Sequence, residues 1–113
     1  MIEKLVLDYL SESLDVPVYM EEPENPPKSY LILEKTGSSE ANFIASATIA
    51  VQSYAESLYK AAQLNQLVKQ AMREITNLNS VCRCNLNGDY NFTDTDTKRY
   101  RYQAVFDITF YEE

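Results

Sequence analysis

A chain of 113 residues with 45% apolar content, a formal net charge of −7 and no histidine is long enough for a single self-supporting domain over residues 1–113 and too apolar for disorder. The lack of histidine removes the commonest general base and metal ligand, and the negative charge disfavours attraction to nucleic acid or anionic lipid. No apolar run approaches the roughly 20 residues of a membrane helix, and the opening MIEKLVLDYL lacks the pattern of a signal peptide.

Ile2, Leu5, Val6, Tyr9, Leu10 and Leu14 recur at helical spacing and predict a first helix from about Ile2 to Leu14. VPVYME, from Val16, reads as a short strand, with Pro17 suited to a sheet edge where a missing N–H matters little. All four prolines, Pro17, Pro23, Pro26 and Pro27, fall between Val16 and Leu33, and the connection EEPENPPKS also carries Glu21, Glu22 and Glu24. YLILEKT, from Tyr30, is a second strand, apolar on both faces at its start. Gly37-Ser38-Ser39 reads as the turn that follows. A third strand is expected from Asn42 to about Tyr54, with Phe43, Ala45, Ala47, Ile49 and Val51 on one face.

The stretch after Tyr54 predicts the second helix. Leu64, Leu67, Val68, Ala71, Met72 and Ile75 form its apolar stripe, extended by Leu58, Ala61 and Ala62. Its cap is Ser53 with Glu56, or Ser57 alone, and Asn77 and Asn79 are its polar stop. VCRCNLNGDYNF follows as a strand with Cys82, Cys84 and Leu86 on one side, Val81, Arg83 and Asn85 on the other, and a bulge or bend at Asn87-Gly88. TDTDTK is a self-capping turn. The final strand, from Tyr100, places Tyr100, Tyr102, Ala104, Phe106, Ile108 and Phe110 on one face and Arg101, Gln103, Asp107 and Thr109 on the other. The order α-β-β-β-α-β-β predicts a two-layer α+β domain: a mainly antiparallel sheet of about five strands, two helices on its apolar face, and a polar, half-covered opposite face.

Catalytic and metal patterns fail one by one. Asp89, Asn91, Asp94 and Asp96 crowd together, but a calcium loop starting at Asp89 requires glycine where Asp94 stands and glutamate where Tyr100 stands. Glu21, Glu22, Glu24 and Glu34 are acids without a spacing that makes them converge, so an acidic exposed loop explains them better than a hydrolase pair. Cys82 and Cys84 are too close for easy bridging and too few for a disulfide framework; they read as buried, inert thiols in a reduced cytoplasmic setting. KRYRY, Lys98 to Tyr102, mixes cations and aromatics, yet strand alternation sends Arg99 and Arg101 to one face and Tyr100 and Tyr102 to the other, so no joint stacking platform is expected. The reading is of a non-enzyme with no cofactor and no metal.

Three features, the strand pair VPVY…P…PPKSYLIL, the strand IAVQSYAES entering an alanine-rich helix, and the DTDT turn before a final alternating strand, together resemble the tail-terminator or tail-completion proteins of long-tailed bacteriophages and prophages. The resemblance covers almost the whole chain and implies a similar α+β fold and a structural role in the virion. Members form a ring, usually hexameric, that caps the tail tube in the host cytoplasm during assembly and offers a surface to the neck of the filled head. The implied partners are further copies of the chain, the tail-tube protein and a head-completion or neck protein. DNA only passes through the channel, and no membrane is involved. The family brings no catalytic residues. Contact residues expected from the stiff proline segment and the acidic turn are Glu22, Pro23, Glu24, Pro26, Pro27, Asp94 and Asp96: proline favours an extended, pre-ordered arm that loses little entropy on docking. A plain stiff loop between strands fits the same residues. Another head–tail connector, or a binding domain with no virion role, fits the same plan.

Overall fold

A computed structural model describes residues 1–97 and 99–111. Lys98, read as part of the turn, and Glu112 and Glu113, read as the end of the last strand, lie outside the described residues. The elements are α1 (Ile2–Ser13), β1 (Val18–Tyr19), β2 (Tyr30–Ala41), β3 (Ile44–Tyr54), α2 (Leu58–Arg73), a 3-10 turn (Ile75–Asn77), β4 (Val81–Asn91) and β5 (Arg101–Tyr111). They form the expected two-layer α+β domain, a five-stranded sheet of order β1-β2-β3-β5-β4.

Alternation in β5 decides the layering. Ala104, Phe106, Ile108 and Phe110 are buried, and they join Val6 and Leu10 of α1 and Leu64, Val68 and Met72 of α2 in one cluster with Leu31, Leu33, Ile49 and Val51. Side chains two apart on a strand share a face, so each central strand presents its apolar set to the helices at once. Tyr9 ties the helices together by donating its hydroxyl to the Ala71 carbonyl at 2.6 Å. Ser57 is the cap of α2, its hydroxyl accepting from the Lys60 N–H at 3.1 Å, while Ser53 is a buried residue of β3. The expected bulge at Asn87-Gly88 is present, where the β4–β5 register shifts between Leu86 and Gly88.

Several expectations are corrected. Gly37-Ser38-Ser39 is not a turn: β2 runs through it to Ala41, paired with β3 and absorbing one register shift between Lys35 and Gly37. The turn is Asn42-Phe43, both with positive φ of 53° and 67°. It is the two-residue hairpin geometry whose twist matches the flanking strands. Phe43 therefore leaves the apolar face and stands 82% exposed at the tip. β1 is shorter than VPVYME and pairs parallel with β2, Val18 beside Leu31 and Tyr19 beside Ile32, so the sheet is mixed. Leu58 and Leu67 are exposed and drop out of the α2 stripe.

The cysteines also move. A register shift between Val81 and Arg83 makes Cys82 the extra residue, so Val81 enters the core while Cys82 is exposed. Cys84 alone packs against the core. Burial, reinforced by the charge of Asp107, pushes its thiol up to about 11.

Candidate assembly surface

The face of the sheet away from the helices is less polar than expected. Tyr30, Ile32 and Tyr54 form a second small core there, with Tyr19 packed against it. The Tyr30 and Tyr54 rings lie stacked, centroids 4.6 Å apart and planes within 5°. Tyr19 meets Tyr30 edge to face at 6.0 Å. These residues share a face because Tyr30 sits opposite Tyr54 in the β2–β3 register, and rings at directly opposed positions come within stacking reach.

Two arginines close over this aromatic stack. Arg101, opposite Tyr54 in the β3–β5 register, lies 5.6 Å from the Tyr54 ring centre and 4.5 Å from that of Phe92. Arg99 lies 5.3 Å from the Tyr54 ring. At these distances the ring faces attract the guanidinium charge. Among the described residues of KRYRY itself the arginines do not stack on Tyr100 or Tyr102; what the sequence reading did not foresee is the rings they meet instead. These rings come from β3 and from the residue after β4, and Tyr54, beneath both guanidiniums, is already buried with Tyr30 stacked on it.

Hydrogen bonds continue across the sheet. Arg101 Nη1 donates to the Tyr54 hydroxyl at 2.8 Å, which donates to Gln52 Oε1 at 3.1 Å. Gln52 Nε2 donates to Gln103 Oε1 at 2.9 Å, and Gln103 Nε2 donates to the Tyr90 hydroxyl. Further along, Asp107 accepts from Thr48 and Asn87, each at 3.0 Å. Each donor finds an acceptor, which is how this half-covered face tolerates buried amides.

The proline connection meets this face at its Tyr54 end. Glu22 Oε1 accepts from the Tyr30 hydroxyl at 2.7 Å and from Arg99 Nη2, which also donates to the Tyr30 hydroxyl. Burial, with the acceptor Glu22 adding and Arg99 opposing, pushes the Tyr30 phenol up to about 12. Its hydroxyl stays protonated as the donor to Glu22. Pro26 and Pro27 line a depression of about 260 Å³ with Tyr30, Tyr54, Arg99 and Tyr100. Glu24 is exposed, and Pro23 is half-buried. The backbone of Asp94 forms an isolated antiparallel β-bridge with that of Arg99, and the Asp94 carboxylate accepts from the Asp96 N–H at 3.0 Å. That backbone bond, followed by the Thr97 side chain, holds the Asp94 carboxyl below its ordinary range. Asp96 itself is exposed.

The structure thus brings the two groups of expected contact residues to one end of the sheet, Glu22 to Pro27 on one side and Asp94 with Asp96 on the other, with Arg99 between them. Sequence reasoning missed Arg99, Tyr30, Tyr54 and Arg101. The available signal was parity: Tyr30, Tyr54 and Arg101 fall on the side opposite the core residues of their own strands, and Arg99 shares the parity of Arg101 just before β5. A larger groove of about 730 Å³ lies at the other end of β5, between α1 and Leu78 to Ser80, away from all of these residues. Comparison of the chain with protein-family models and with curated proteins found no match.

Proposed function

We propose that this chain is a structural assembly protein of a long-tailed phage or prophage. In this reading it is a tail terminator whose copies form a ring, six in number, that caps the tail tube and receives the neck of the filled head. The observation that carries the reading is the junction of Glu22 with Arg99. The proline connection and the Asp/Thr turn, two of the three features that bear the resemblance, meet there at a separation of 77 residues. A pre-ordered acidic loop fastened to a rigid sheet end suits repeated docking against identical neighbours or against the tube, because little chain entropy is lost on contact. Such a ring has its own copies, the tube protein and a head-completion or neck protein as partners. The net charge of −7 is compatible with an acidic channel wall that does not adhere to passing DNA, and equally with acid on the outside of the ring. No cofactor or catalytic group enters this role.

The test is to add the protein to growing tubes of the cognate tail-tube protein and view the ends by electron microscopy. Arrested tubes with a six-subunit cap are expected. Replacing Pro23, Pro26 and Pro27 together by Ala should leave the fold intact and weaken capping. Tubes that elongate undisturbed in the presence of excess folded protein overturn the reading.

A further inference from the structure

β1 covers the outer edge of β2 only at Leu31 and Ile32. Beyond that, every residue from Glu34 to Ala41 is exposed, and the backbone on that side has no strand neighbour among the described residues. A long bare edge is a ready template for another strand, and proteins that do not use such an edge blunt it. The opposite edge of this sheet is blunted: two register shifts, at Val81/Arg83 and Leu86/Gly88, break the line of β4. On β2 the line is regular from Gly37 to Ala41. Its tip carries Phe43, exposed and at φ 67°, a conformation disfavoured for a bulky side chain. Nothing within the described residues of this chain rewards that placement.

We propose that the free edge of β2 is where a second copy of this chain adds its own β2, antiparallel, about a two-fold axis through Ser38. The register follows from faces and charge. Lys35, Ser38 and Glu40 pair with Ile49, Ala47 and Ala45 and so lie on the helix side of the sheet; Gly37 and Ser39 pair with Thr48 and Ser46 on the other. Directly opposed residues of an antiparallel pair must share a face. An axis through Ser38 meets that condition throughout. Ser38 faces Ser38, Gly37 faces Ser39, and Lys35 faces Glu40, with Thr36 absorbed by the existing bulge. The charge pair therefore forms twice, and only small side chains meet at the centre. Lys35 lies 3.4 Å from Glu3 in its own chain, while Glu40 makes no salt bridge among the described residues. The hairpin tip then reaches the place where the other copy's β1 ends, beside the exposed Met20.

This contact does not rest on the ring reading. Edge pairing here is two-fold, whereas a closed ring of six requires a head-to-tail contact. Light scattering on the free protein should give the mass of two chains. Glu40→Lys should weaken pairing about tenfold, because two attractive cross-strand pairs become repulsive, and the double variant Lys35→Glu with Glu40→Lys should restore it. Ser38→Cys should cross-link the two copies on mild oxidation, beyond any background from the native cysteines. A monomeric wild type, including one that pairs only with a strand of a different protein, overturns the proposal. So does a dimer whose affinity a folded Glu40→Lys variant leaves unchanged. Tube capping that survives Glu40→Lys while the dimer is lost separates this contact from the ring.

Discussion

Glu22 and Arg99 form an ion pair that joins the proline connection to the turn before β5, with the Tyr30 hydroxyl bonded to both. Both charged side chains are more than a third exposed, so water screens the pair and its share in global stability is small, at most about 1 kcal/mol. Its effect is local. Arg99→Ala should leave the denaturant midpoint nearly unchanged while hydrogen exchange and proteolysis accelerate across Glu21 to Ser29. A large loss of stability would assign the pair a structural role beyond anchoring the loop.

Tyr30 also makes stability depend on alkaline pH. Its phenol is pushed up to about 12 in the folded chain from an ordinary value of 10.0. An acid with a raised folded value keeps its proton in the native state while the unfolded state loses it. The unfolded state then binds fewer protons, and stability falls as pH rises from about 10 toward 12. Tyr30→Phe should flatten that part of the curve and remove the latest phenolate from an absorbance titration. An unaltered curve would show that Tyr30 titrates normally.

Phe43 occupies the second position of a turn that favours glycine. Phe43→Gly, which places glycine directly after Asn42, should stabilise the chain by about 1 kcal/mol in urea denaturation, since the side chain is exposed and contributes little packing. Destabilisation would mean that the aromatic ring makes contacts worth more than the backbone strain.

Asp89 holds a buried polar contact between layers. It accepts from Asn65 at 2.8 Å and from Lys69 at 3.0 Å, and Asn65 is buried with its Oδ1 already lacking a partner. Asp89→Ala leaves the Asn65 amide without its acceptor as well and should cost about 2–3 kcal/mol. In a double-mutant cycle, Asn65→Ala should recover part of that loss. Strict additivity would show that the two side chains are not coupled.

What could be read from the sequence was what each segment decides for itself. β5 alternates without interruption, so its core face was plain. Asn87-Gly88 announces a bulge chemically. Gly37-Ser38-Ser39 misled because glycine and serine commonly mark turns, whereas β2 stays paired with β3 through it, past the register shift at Lys35/Gly37. The real turn has Phe43 where glycine is the usual choice, so no local signal marked it. The register shift that turns Cys82 outward depends on β5 and left no trace in VCRC. The candidate surface was half legible. Proline and acid flagged both segments, but their meeting through Arg99 depends on strand order, and the aromatic partners of Arg99 and Arg101 lie on β3 and next to β4.

Strand order carries one more consequence. β3 and β4 are never neighbours; β5 lies between them and pairs with both. It is also the last of the five to leave the ribosome. Until it emerges, the nascent chain holds a hairpin and a lone strand with unsatisfied inner edges, and the central pairing of residues as distant as Ile44 and Tyr111 must wait. Completion of the sheet therefore waits on β5, and a chain cut before Arg101 holds a hairpin and a separate strand without the central strand that pairs with both.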